Sequence, residues 1–139
     1  MASEKKYKKK INRKTNRKIK NRFNRTRKQK TVIKPKIKVV GKIYSNGCIH
    51  CQMLEPEWNK MKQEITSDAF NNRRVVFVEI EQANQDAEIA DTNNKYLINS
   101  SNKLVLQEGY PTIFRIENGK IDYYNGQRDA NTMRHWFLV

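Results

Sequence analysis

Positive charge sits almost wholly at one end of this chain, and that asymmetry decides which residues can fold. Residues 1–38 hold 18 of the 29 Lys and Arg and one acid, Glu4, for a net charge of +17. Residues 39–139 hold the remaining bases and acids and balance at −2. In the first stretch the bases alternate with Asn, Thr and Gln, and Ile11, Ile19, Phe23, Val32, Ile33 and Ile37 are too scattered to build a core. Self-repulsion and low hydrophobicity predict a disordered tail over residues 1–38. The second stretch, residues 39–139, is long enough for one domain and too short for two.

Within residues 39–139 the apolar pattern predicts a β-α-β-α-β-β-α order. Residues 37–44 are β-branched and aromatic and end at Ser45-Asn46-Gly47, which reads as a strand closed by a turn. Met53, Leu54, Trp58, Met61 and Ile65 then recur at helical spacing, so a helix opens at Cys48 or its neighbour and runs to about Ser67. Pro56 lies well inside it and should kink it. Residues 74–80 form a short apolar run that predicts a central parallel strand covered on both faces. A second helix is expected over residues 85–98 and a loop after it. Residues 110–116 read as a strand entered through Pro111, Asn118-Gly119 as a hairpin turn, and residues 121–124 as the returning strand. Met133, Trp136 and Phe137 mark a final amphipathic helix.

The chain has two cysteines, Cys48 and Cys51. That excludes a multi-bridge scaffold, and in an intracellular chain such a pair points to redox work. A cysteine at a helix start faces unpaired backbone N–H groups and the positive end of the helix dipole, both of which favour thiolate. Cys48 holds that place, and Cys51 follows one turn along the same face. Cys48 can therefore attack a disulfide and Cys51 can resolve the product. His50 either adds charge or a hydrogen bond to the Cys48 thiolate, making the pair more oxidising, or is an exposed helix residue. The same spacing also serves half a zinc site or two buried thiols. Zinc wants four ligands, however, and outside the motif only His135 and carboxylates are on offer. We expect no bound metal and no cofactor beyond the Cys48–Cys51 disulfide itself.

Three separated motifs carry a resemblance to a known family. Cys48-Ile49-His50-Cys51-Gln52-Met53-Leu54-Glu55-Pro56-Glu57-Trp58 resembles the C-x-H-C-x-x-L-x-P-E-W segment of protein disulfide isomerase domains in the thioredoxin superfamily. Gly109-Tyr110-Pro111-Thr112 resembles that family's G-[FY]-P-T, and Tyr124-Asn125-Gly126-Gln127-Arg128 its Y-x-G-x-R turn. The resemblance implies a minimal thioredoxin-like α/β fold, a mixed sheet with flanking helices that lacks the family's first strand and helix. It implies a cis bond at Tyr110-Pro111, an X-Pro bond being the one kind that tolerates cis at low cost. It also implies that Cys48 is the exposed nucleophile, Cys51 the buried resolving thiol, and Ile49, Tyr110 and Pro111 the substrate-facing residues. The chain departs from the family at Gly47, where Trp is usual, and at Lys42, where a buried acid is usual. Lys42 is expected to point to solvent; the alternative is a buried, neutral lysine that could itself act as a base, since burial disfavours its charged form. About ten extra residues precede Pro111, placed around residues 99–108.

The tail suits a polyanion. Lys8, Lys9, Lys10, Arg13, Lys14, Arg17, Lys18, Lys20, Arg22, Arg25, Arg27 and Lys28 would contact phosphates with strong salt dependence and little sequence choice. Nucleic acid is the first expected partner. A nuclear address, an acidic protein surface, anionic lipid and a mitochondrial presequence use similar residues. No run of 18 apolar residues and no apolar leader segment occurs, so neither membrane insertion nor secretion is expected. The cytosol, the nucleus or a large DNA virus particle is the expected compartment. Two functions compete. One is an enzyme that exchanges disulfides with protein substrates, tethered by its tail. The other is a non-catalytic nucleic-acid-binding or assembly protein using the domain as an interaction module.

Overall fold

The computed structural model describes residues 36–139. Residues 1–35 of the expected tail, with its basic residues up to Lys34, lie outside the described residues, and Lys38, at its expected end, already opens a strand. Four strands, β1 (Lys38–Tyr44), β2 (Val75–Glu81), β3 (Thr112–Glu117) and β4 (Lys120–Tyr123), make one sheet in the order β2-β1-β3-β4. β1 runs parallel to β2 and antiparallel to β3, and β3 and β4 form a hairpin. The helices are α1 (Ile49–Ser67), the short α2 (Ala69–Asn72), α3 (Gln85–Tyr96) and α4 (Ala130–Leu138). The order matches the expected one, with α2 and a 3-10 turn over Gln82–Asn84 added.

Side-chain alternation along β1 divides the core in two. Val40 joins Ile113 against Leu54, Trp58, Met61 and Ile65 of α1 and Ala130, Met133 and Phe137 of α4. Val39 and Ile43 face the other way, onto Ile80, Phe114 and Ile116, and are covered by Leu97 and Leu104. Gly41 is required here by space, since a Cβ would lie 2.2 Å from the ring of Phe114, its partner across the β1–β3 pair. The hairpin turn follows its sequence signal, with Asn118 at φ 53° and Gly119 at φ 72° as a two-residue loop of this hand requires.

β2 departs from expectation, because among the described residues it is an edge strand and not a central one. Its apolar run reflects coverage of both faces: Val75 and Phe77 pack on the α1 side, Val78 and Ile80 on the α3 side. Burial above and below is legible in sequence, but the number of strand neighbours is not. α1 passes through Pro56 as one continuous element. Between Leu97 and Thr112 the chain forms no helix or strand and is tied down by Leu104. That residue is fully buried, its N–H donating to Asn93 Oδ1 (2.7 Å) and its carbonyl accepting from Asn93 Nδ2 (3.1 Å).

Candidate active site

β1 delivers the chain into the turn at residues 45–47 and then into α1, so the dithiol sits at the C-terminal end of a central strand. The Cys48 N–H donates to the Ser45 carbonyl (3.1 Å), closing the turn, and Cys48 occupies the N-cap of α1 with extended backbone angles. Its sulfur takes the capping role, accepting from the Cys51 N–H at 3.3 Å. An N-cap acceptor satisfies a helix donor that has no partner within the helix. Both cysteines are free thiols; Cys48 is partly exposed and Cys51 is 4% exposed.

These surroundings separate the two thiols. The hydrogen bond from Cys51 is the leading cause that lowers the Cys48 thiol below its ordinary range; desolvation opposes it, while the backbone N–H groups of Cys51 and His50 and the charge of Arg128 reinforce it. Burial pushes Cys51 up to about 11; a backbone hydrogen bond from Ser45 is the main opposing cause, the Cys48 sulfur adds to the rise, and the Lys42 charge opposes it least. The His50 ring is exposed, and no hydrogen bond joins it to another described residue. Its contribution to Cys48 comes through the backbone.

Tyr110-Pro111 is cis. The Cys48 thiol donates to the Tyr110 carbonyl at 3.5 Å, which brings the two motifs together across 62 residues of sequence. The Tyr110 hydroxyl donates to Gln85 Oε1 (2.6 Å) on α3 and so anchors that segment from behind. A polar groove of about 790 Å³ runs beside it, between residues 107–113 and residues 123–128. The Tyr124 hydroxyl donates to the Gln127 carbonyl, and a Cβ at Gly126 would meet the Tyr124 hydroxyl oxygen at 2.6 Å and its ring edge at 2.8–2.9 Å, so the tyrosine can lie over this turn because residue 126 is glycine. Ile49 and Met53, 63% and 68% exposed, leave an apolar rim beside Cys48. A Cβ at Gly47 would meet nothing within 4 Å.

Lys42 corrects an expectation. Instead of pointing to solvent it is 2% exposed, on the α1 face of the sheet. Its Nζ lies 3.7 Å from Glu79 Oε1 and 3.9 Å from Glu55 Oε2, over the rings of Tyr44 and Trp58. The period-two pattern Val40, Lys42, Tyr44 puts it on that face, and two carboxylates make its burial tolerable. Glu79 also accepts from Trp58 Nε1 (3.0 Å) and Lys62 Nζ (2.7 Å). Burial would raise the Glu79 carboxyl, but Lys62, Lys42 and Trp58 together hold it below its ordinary range. Glu57, in sequence only one letter of a motif, has a structural task. Its Oε2 accepts from the Ala130 N–H at 2.8 Å, so it caps α4 from α1. His135 lies exposed in the last turn of α4. Among the described residues no three His, Cys, Asp or Glu side chains converge as a metal site would need, and no helix is long and apolar enough to cross a membrane.

The fold agrees with comparisons to known proteins. The family model described as Thioredoxin matches residues 18–138. A "Thioredoxin domain-containing protein 5 homolog" from Drosophila melanogaster is 27% identical over 95 residues, covering 67% of this chain and 18% of that protein. This chain thus spans less than a fifth of that relative. Among solved structures, the first thioredoxin domain of mouse protein disulfide-isomerase A4 superposes with a TM-score of 0.51 at 18% identity, over 73% of this chain and 61% of that one. Human ERp44 superposes at 0.51 with 22% identity, over 73% of this chain and 24% of that one. With a family match over most of its length and the four-stranded mixed sheet that carries the dithiol, the chain belongs to the thioredoxin family.

Proposed function

We propose that this chain is a thiol–disulfide oxidoreductase that acts on protein substrates through Cys48 and Cys51. The observation that carries the reading is the division of labour between the two sulfurs. Cys48 is accessible, caps a helix and is held toward thiolate, while Cys51 is buried and held toward thiol. Thiolate is the attacking species in exchange, so Cys48 starts the reaction and Cys51 does not compete for substrate. Attack on a substrate disulfide gives a mixed disulfide with Cys48 and releases one substrate thiolate, which takes a proton from water. Cys51 then displaces the second. The Tyr110 backbone, Pro111 and the Ile49 rim receive the substrate segment. His50 supports the Cys48 thiolate through its backbone N–H. The dithiol is itself the redox group, and stabilising its reduced form makes it more oxidising.

On charge alone, the basic tail is assigned to nucleic acid or another polyanion, in the cytosol, the nucleus or a virus particle. Its affinity should fall steeply with salt and vanish on deletion of residues 1–35, which leaves β1 intact. The enzyme reading is tested by insulin reduction with wild type and Cys48→Ser. Wild type should turn over and the variant should not. Equal rates would overturn the reading and leave a non-catalytic interaction module.

A further inference from the structure

The groove of about 790 Å³ between residues 107–113 and residues 123–128 borders Tyr110, whose carbonyl meets the Cys48 sulfur. Its tyrosines are already engaged by the fold. The Tyr110 hydroxyl donates to Gln85, the Tyr124 hydroxyl donates to the Gln127 carbonyl, and the Tyr123 hydroxyl accepts from the Val105 N–H. Two charged side chains in the groove are not engaged. Glu108 lies on the wall next to Tyr110 and Arg128 on the opposite wall, and both are exposed. The ion pairs among the described residues join other groups, so these two are paired neither with each other nor with a described neighbour. Asp129, next to Arg128 in sequence, turns its carboxylate to Thr132 and caps α4. Arg128 is thus a cation that the described fold does not use, in a groove that opens beside the reacting sulfur.

We propose that this groove holds the stretch of substrate next to the reacting cysteine, and that Arg128 makes it select segments with an acidic residue at the position facing that wall. The inference rests on the oxidoreductase reading above and names a substrate class for it. A guanidinium presents planar paired donors that match a carboxylate. Glu108 makes the recognition directional, because a carboxylate held toward Arg128 is attracted and one turned toward Glu108 is repelled. The Arg128 charge is also felt at Cys48, where it favours thiolate, so the groove and the reacting sulfur share one electrostatic field. The pair with the substrate carboxylate forms on binding and persists through the exchange. It therefore acts on KM and leaves kcat alone.

The test uses the full chain and disulfide-linked peptide pairs that fluoresce when reduced. Each turnover reduces a peptide disulfide to its thiols and leaves Cys48–Cys51 oxidised, and dithiothreitol reduces that pair again. Glu, Gln or Lys is placed in turn at each position flanking the peptide cysteine. At one flanking position Glu should lower KM about two- to fivefold against Gln, the worth of an exposed ion pair. Lys there should raise KM, kcat should not follow the peptide's charge, and the difference should fade at high salt. Arg128→Gln should abolish the preference, and Arg128→Lys should keep most of it. Any effect of these variants on the Cys48 thiol falls on all peptides alike and cancels in the ratio between them. Attraction of acidic peptides to the basic tail is independent of position and survives in Arg128→Gln. Equal KM for Glu and Gln peptides at every position, or a preference that persists in Arg128→Gln, overturns the inference and leaves the oxidoreductase reading standing. No turnover of any peptide overturns that reading and the inference with it.

Discussion

Alkylating the reduced protein should label Cys48 well before Cys51, by a margin that follows from their surroundings. Cys51 moves from an ordinary 9.0 to about 11. At any pH well below 9 that leaves about a hundredfold less thiolate than an ordinary cysteine has. A more basic thiolate is intrinsically more nucleophilic, with a Brønsted slope of about 0.4–0.5, which returns a factor of about eight over two units. The net slowing from ionisation is thus about tenfold, and at 4% exposure Cys51 is shielded further. Cys48 moves the other way, its lowered thiol being ionised at lower pH than usual. Iodoacetamide at pH 7, followed by peptide mass spectrometry over time, should show Cys48 modified at least ten times faster, with its rate levelling off at lower pH. Equal rates, or a shared pH midpoint, would refute the reasoning. Stability of the reduced form follows the same signs. The Cys51 contribution is full below pH 9 and is lost as pH rises toward 11, whereas the Cys48 contribution is present above its unfolded range and is lost as pH falls.

Two further outcomes test the packing that holds the site. Gly41→Ala should destabilise the domain by about 1–3 kcal/mol, because the new Cβ meets the fully buried Phe114 ring at 2.2–2.7 Å; an unchanged urea midpoint would show that the ring gives way. Glu57→Ala should cost about 1–3 kcal/mol by leaving the buried Ala130 N–H without its acceptor. Glu57→Gln, which keeps a carbonyl oxygen there, should recover most of that loss in the same denaturation.

Local rules carried the sequence a long way. β-branched and apolar runs bounded by turns located all four strands, helical spacing located the first and last of the three longer helices, and Asn118-Gly119 named its own turn. The charge split alone separated residues 1–38 from a nearly neutral remainder. The helix-start position of Cys48 was equally local, since it depends only on the turn before it and the apolar stripe after it. Tertiary structure alone decided the features that need partners distant in the chain. It made β2 an edge strand, it turned Glu57 into the cap of a helix 73 residues away, and it set the Tyr110 carbonyl against the Cys48 sulfur. It also buried Lys42, because the cost of taking an ammonium out of water depends on whether carboxylates are waiting there. Glu55 and Glu79 reach that point from a helix and a neighbouring strand only once the sheet has paired. A strand pattern says which face a side chain takes, and only the assembled fold says what meets it there.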